Sequence, residues 1–254
     1  MKKTILPFFV AAILVSCKKE NYAVADLKLN LPKDFEQSVI YEADVSTNSQ
    51  MTLNEVNVVN YKVDSVAKNG HYYMTGKLKR ANVNQSILGD SFSVDTRESG
   101  NGDSDLGSDI QNLVNKEFSF RINAYGRIIE KPKFKNIDAD PFLIEQYNIL
   151  PFALPERKLI EKLTWEETTT NPIDKKVELK TTYTIKKIDS KSINVSSLGL
   201  MGYNGGSDKY RAEIIGSYVL DRKTGLLISG EKSLKMKETG EMTFKISPQM
   251  KGFE

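Results

Sequence analysis

The sequence predicts a mainly β protein: a large antiparallel curved sheet or half-barrel built of hairpins, with one or two short helices. Three observations carry that expectation. Apolar residues alternate with polar ones at period two along most of the chain, the pattern of half-buried strands. Turn signals such as Asn69-Gly70, Gly126, Asp189-Ser190 and Thr224-Gly225 separate the alternating runs. Helical spacing appears in only two short stretches.

At the N-terminus, Lys2 and Lys3 precede an almost wholly apolar run from Ile5 to Val15. That run is about half of the roughly 20 residues a membrane-spanning helix needs. A charged region followed by an apolar one of this length is the pattern of a secretory signal. The run closes on Leu14-Val15-Ser16-Cys17, which resembles the lipobox of bacterial lipoproteins. The resemblance implies cleavage after Ser16 and a diacylglyceryl thioether on Cys17. Each buried CH₂ of such a chain contributes about 0.8 kcal/mol to anchoring, and more than one chain makes it stable. Cys17 is the single cysteine, so no intramolecular disulfide and no multi-thiolate metal site can form. Lys18, Lys19, Glu20 and Asn21 follow it, without the Asp that retains lipoproteins at the inner membrane. The expected location is therefore the cell envelope of a Gram-negative bacterium, lipid-anchored in the outer membrane, with the leaflet left open. Residues 1–16 are the signal, 17–24 the anchor and tether, and 25–250 a single β domain. Its two hairpin-rich halves join near 130–157. Loss of the signal takes the basic residues from 36 to 34 against 33 acidic ones, a net +1. That balance gives no electrostatic case for nucleic acid.

The strands follow in order. Ala25, Leu27, Leu29 and Leu31 alternate up to Pro32, and Val39, Tyr41, Ala43 and Val45 do the same. Val59, Tyr61 and Val63 lead into Asn69-Gly70, and Tyr72, Met74 and Leu78 leave it. Asn-Gly in that setting predicts a tight hairpin with both residues at positive φ. Phe118, Phe120, Ile122 and Ala124 run to Gly126, and Ile128 and Ile129 return. In the second half, Val177, Leu179, Tyr183 and Ile185 turn at Asp189-Ser190 toward Ile193 and Val195. Ile214, Tyr218 and Leu220 precede the turn from Asp221 to Gly225. Leu234 and Met236 precede a turn over 237–241, and Met242, Phe244 and Ile246 come back. Helices are expected at Ser108–Lys116, with Ile110, Leu113 and Val114 on one face, and at Asp140–Leu150, with Pro141 in the first turn.

Few residues offer chemistry. His71, the single histidine, directly follows a turn and is expected to be an exposed hairpin residue. Asp103, Asp105 and Asp109 surround Gly107, but no register places Gly sixth and an acid twelfth, as a calcium loop requires. Glu166 and Glu167 are adjacent in a strand, so they point to opposite faces and cannot act as one acid/base pair. Nucleophile-elbow, phosphate-loop and zinc-protease motifs are missing from the sequence. The expectation is a protein that is not an enzyme and has no metal or cofactor. What remains is apolar. Phe118, Phe120, Trp165, Tyr183, Ile185, Leu234, Met236 and Phe244 stand on strand faces that two short helices are too few to cover. Uncovered apolar area costs about 25 cal/mol per Å². These eight are the candidate lining of a ligand cavity, although two sheets packed face to face would also cover them.

Leu154-Pro155, Thr164-Trp165 and Tyr218-x-Leu220-Asp221 followed by Thr224-Gly225 are similar to the motifs of a family of uncharacterised bacterial lipoproteins. Where that family has Gly-Asp before its Ser/Thr-Trp, this chain has Lys162-Leu163. The resemblance spans residues 17 to about 246. It implies a broad antiparallel sheet, related to the half-open barrels of lipoprotein carriers, whose concave face holds acyl chains. The functional expectation is a membrane-anchored, non-enzymatic envelope lipoprotein that binds a lipid or other apolar ligand on a concave sheet. The alternative is an interaction module that docks on another envelope protein.

Overall fold

In the computed structural model, which describes residues 27–47, 51–97, 105–135, 137, 148–170, 176–203, 212–236 and 240–249, the strands form one open antiparallel sheet. The first half supplies β1 (Glu36–Thr47), β2 (Met51–Val66), β3 (Tyr72–Ile87), β4 (Asp90–Asp95), the helix α1 (Asp105–Leu113), β5 (Glu117–Ile122) and β6 (Ile128–Phe134). The second half supplies β7 (Thr164–Thr170), β8 (Val177–Ile188), β9 (Ser192–Tyr203), β10 (Ala212–Asp221), β11 (Leu227–Met236) and β12 (Gly240–Gln249). Their order is β6-β5-β3-β2-β1-β12-β11-β10-β9-β8-β7, with β4 on the far part of β3. The two halves of the sequence are thus two arms of a single sheet. They meet where β1 pairs with β12, Val39 opposite Pro248 and Ala43 opposite Phe244.

Strand β3 serves two neighbours. Its first part pairs with β5 and its last part with β4. Between them a bulge at Lys79 moves the inward face from Leu78 to Ala81. Asp95 ties this fork together on the outer face. It accepts hydrogen bonds from the guanidinium and backbone N–H of Arg97 and from Asn82 Nδ2 at 3.1 Å. The Arg97 hydrogen bonds hold its carboxyl well below the usual carboxylate range.

The hairpin turns are wider than Asn-Gly suggests. Of Asn69 and Gly70 only Gly70 is left-handed, at φ 79°. The turn closes from Ala67 to His71, and Asn69 Oδ1 accepts the His71 N–H instead. His71 itself is half-buried rather than exposed. The same plan recurs at Asn123–Arg127 with Gly126 at φ 79°. At 221–226 the Asp221 carboxylate accepts the Lys223 and Thr224 N–H groups, and Gly225 takes φ 74°. Helix α1 starts and stops a few residues earlier than its apolar spacing predicts. Asn115, at φ 61°, turns the chain out and gives its N–H to Leu78 O. Most of the second predicted helix, 140–147, lies outside the described residues, and 148–150 are not helical.

One end of the inner face is filled by the chain itself. Residues 27–31, expected as a strand, are extended but join no ladder. Leu29 N donates to Ala124 O and Asn30 N to Thr224 O, so the segment spans from one arm to the other. Tyr72 Oη donates to Leu29 O at 2.5 Å from beneath. The connection from edge strand β6 to edge strand β7 then supplies Ile149, Leu150, Phe152, Leu154 and Leu159, all buried. Leu154 N bonds Tyr125 O on one arm, and Ala153 N bonds Glu167 Oε1 on the other. These two irregular segments and α1 form the cover over Val59, Tyr61, Val63, Phe118, Ile122, Ile185, Val195 and Leu220.

Candidate functional site

The inner face has two unlike ends. At the hairpin-turn end lies the packed core. Four predicted cavity residues belong to it: Phe118 and Ile185 are fully buried, and Phe120 and Tyr183 nearly so. Phe118 packs on Phe120 and Phe134, with ring centroids 6.0 and 5.6 Å apart. Phe152 caps Tyr183, Tyr218 and Trp165 at 4.7, 5.1 and 5.8 Å. Trp165, half-buried, stacks on Tyr183 at 5.2 Å. What covers these side chains is the protein's own chain, because the inter-arm connection crosses over them.

Toward the opposite end the composition changes. A band of polar side chains crosses the inner face. On the first arm Tyr41 Oη pairs with Tyr61 Oη at 2.8 Å and donates to Asn148 O. Burial pushes the Tyr41 phenol up. Beside it Asn57 is buried and donates to Glu55, whose carboxyl is also raised by burial. On the second arm the band continues through Glu167, Thr181, Ser197, Tyr218 and Lys232. Glu167 is raised by burial. Tyr183 bonds Thr181 and Tyr218 bonds Ser197, and burial raises both phenols. Lys232 is half-buried, and burial of its ammonium pulls its pKa down. Among the described residues, Asn57 Oδ1 and Trp165 Nε1 are buried there without a hydrogen-bond partner.

Beyond this band the inner face is apolar again. Val45 is paired with Leu53, and Leu234 with Ile214. Next come Leu179 and Met201, a cross-strand pair, and then Met51. Gly199 sits between them; a Cβ there would stand 3.1 Å from Leu179 Cδ1 and 3.3 Å from Ile214 Cβ. Leu53, Leu179, Met201, Ile214 and Leu234 are half-buried and do not pack against the main core. Among the described residues no covering segment crosses this end. Leu234 is the one predicted cavity residue whose side chain stands there. Met236 pairs with Ala212 and Phe244 with Lys232, but their side chains lie outside the described part, as does Cys17. Asp103 lies outside it too.

No family model and no curated protein matches this chain. Among solved structures, a similar chain is found in a structure of lipovitellin determined for its lipid–protein interactions, at 11% identity and a TM-score of 0.49. The overlay takes in 87% of this chain and 26% of that one, so this chain spans about a quarter of that protein. A likeness this loose carries no ligand across.

Sequence reasoning missed the polar band. Its signal was legible: Glu55 and Lys232 hold the inward parity of their strands, between Leu53 and Asn57 and between Gly230 and Leu234. Glu166 and Glu167 do face opposite ways, Glu166 to Lys180 at 3.1 Å outside and Glu167 to Ala153 N inside. On the outer face a polar groove of about 340 Å³ runs over Ser38, Asn60, Lys62, Thr75, Lys77 and Glu117. Its lysines are engaged within the chain: Lys77 lies 2.9 Å from Glu117, Lys62 3.5 Å from Asp34, and Lys79 donates to Asn115 Oδ1 at 2.8 Å. That matching makes it a solvated strand face, not a candidate site.

Proposed function

We propose that this is a non-enzymatic lipoprotein, anchored through Cys17 in the outer membrane of a Gram-negative envelope, that holds an apolar ligand on the far end of its inner sheet face. The observation that carries the reading is the division of that face. One end is closed by the chain's own segments; at the other, among the described residues, Leu53, Leu179, Met201, Ile214 and Leu234 are half-buried beyond the core, beside the buried Val45 and Ala212. Apolar rows of this kind are stabilised by an apolar occupant. The lipobox-like run at 14–17 supports placing the protein where lipids are at hand.

Two measurements test it. Native mass spectrometry of protein extracted in mild detergent should show a co-purified lipid, and Ile214→Asp should lose it while keeping its far-ultraviolet spectrum. A ligand-free wild type that also fails to take up a neutral fluorescent probe would sink the binding role. Labelled fatty acid should enter the wild type and not Cys17→Ser; labelling of the mutant would remove the anchor. The docking alternative finds support in Leu198 and Ile215, an outward cross-strand pair 44% and 46% exposed. If that pair is the functional surface, Leu198→Lys should abolish function and leave lipid content unchanged.

A further inference from the structure

The two ends of the sheet differ in charge as well as in packing. The connections that meet at the turn end are 27–35, 67–71, 123–127, 148–163, 189–191 and 222–226. They hold ten Lys or Arg against four Asp or Glu, a net +6. Adding the three nearest residues of every strand at this end gives thirteen against nine, a net +4. Residues 17–254 as a whole carry only +1, so the rest of the chain is acidic on balance. The acids of the same region are already subtracted, so this field does not require any one cation to lack a partner. Lys33, Lys68, Arg127, Lys158, Lys191 and Lys223 are exposed at the tips. Ile160 stands among them, 48% exposed between Lys158 and Lys162. Its turn is fixed: Leu163 N donates to Ile160 O, and Lys162 takes φ 68°. An exposed apolar side chain set among lysines suits the headgroup layer of a bilayer.

The tether says which end lies near that bilayer, a step that rests on Cys17 being the anchor proposed above. The described residues begin at Leu27, and Leu29 N bonds Ala124 O at the turn end. The ten residues from Cys17 to Leu27 reach at most about 35 Å. Strand β2 alone has 16 residues and rises about 50 Å from the far end to the turn end. Upright with its far end on the bilayer, the molecule would hold Leu27 beyond the reach of the tether. With the turn end down, the tether is long enough.

We propose that the turn end docks on the anionic lipid headgroups of the bilayer that holds the anchor, with Ile160 in the headgroup layer and the far end of the inner face turned away. Each Lys or Arg near an anionic leaflet favours docking about fivefold, and neutral headgroups supply none of that gain.

The test uses the acylated protein reconstituted in vesicles of phosphatidylcholine, pure or mixed in equal parts with phosphatidylglycerol. Ile160→Cys carries a fluorophore, and so does Leu88→Cys, a control 75% exposed at the far end of β3. A spin-labelled headgroup lipid quenches either label. In mixed vesicles at low salt, the label at 160 should be quenched at least about threefold more than the label at 88. Pure phosphatidylcholine, or about 1 M salt with its screening length of about 3 Å, should at least halve that difference. Lys68→Glu with Lys223→Glu should do the same in mixed vesicles. A difference as large on pure phosphatidylcholine overturns the headgroup assignment. Quenching at 88 equal to or above that at 160 overturns the docking and leaves the anchor standing. Fluorophore taken up by the parent protein at Cys17, or release of the protein by salt, overturns the anchor. The docking then stands if 160 is the quenched position at low salt. No association with either vesicle overturns both. The wild-type charges on the two vesicles decide the matter even if the charge reversals do not fold.

Discussion

Phe152→Ala tests whether the inter-arm connection really closes the turn end of the sheet. Phe152 is 4% exposed, and its ring lies 4.7 Å from Tyr183, 5.1 Å from Tyr218 and 5.8 Å from Trp165. Removing a buried phenylalanine ring costs about 3–5 kcal/mol, including the cavity it leaves. The value should fall in the upper part of that range, because three aromatic partners lose an edge or face contact at once. In a domain of this size each kcal/mol moves Tm by about 2–4 °C, so the midpoint should drop by roughly 6–20 °C. Trp165 is the only tryptophan, so its emission reports this cluster directly and should shift in the folded variant. The matched control is Leu234→Ala, half-buried at the far end, which should cost under about 2 kcal/mol in ligand-free protein. Urea unfolding followed by both Trp165 emission and far-ultraviolet dichroism gives both numbers. A loss below about 1 kcal/mol for Phe152→Ala, or equal losses for the two variants, would refute the division of the inner face into a packed core and a looser far end.

Three further outcomes follow from particular contacts. Gly76→Ala puts a Cβ 2.2 Å from Phe118 Cζ, inside a fully buried ring cluster, and should cost about 1–3 kcal/mol, partly recovered by Phe118→Leu in the double variant. Tyr72→Phe leaves the Leu29 carbonyl without its 2.5 Å donor and should cost about 1–3 kcal/mol, with faster hydrogen exchange at the Leu29 and Leu31 amides than elsewhere. Stability should pass through a maximum at mildly acidic pH. Glu55 and Glu167 are raised in the fold, so the folded state binds more protons than the unfolded one, and stability rises as pH falls from neutral toward about 4.3. Asp95 is lowered, chiefly by Arg97, so its contribution is present above about 3.9 and is lost as pH falls below that. Denaturant melts across pH should show Glu55→Gln and Glu167→Gln flattening the neutral limb and Asp95→Asn flattening the acid limb; unchanged profiles would count against these environments.

Period-two alternation made the sheet legible because each strand buries one face, and the register of Val39, Tyr61, Ile185 and Tyr218 follows it. Three features escaped for physical reasons. Leu27, Leu29 and Leu31 alternate like a strand, but an extended segment laid over a core shows the same period. Only the bonds to Ala124 and Thr224, nearly a hundred residues or more away in sequence, distinguish the two. The pairing of β1 with β12 is equally non-local, and no turn signal marks it. The join of the two halves near 130–157 is legible in the sequence, yet its role as the cover depends on β6 and β7 lying at opposite edges of one sheet. Two short helices are indeed too few for the cover, and the connection between the arms supplies most of it.

The polar band then weighs on what the far end of the inner face is for. Burying an ionisable side chain is costly, and well-packed apolar residues in the same places are often at least as stable. Nothing in the sheet geometry demands Glu55 or Lys232; Leu53 and Leu234, two residues away with the same parity, show that apolar side chains suit these strands. The core below is complete without them, because the connection and residues 27–31 already seal it. Lys232 is half-buried, and burial pulls its pKa down. A stability argument therefore explains the closed end without calling on the ionisable row. The apolar ligand proposed above accounts for the half-buried Leu53, Ile214 and Leu234 beyond the row, and a co-purified lipid is the measurement that separates that reading from packing alone.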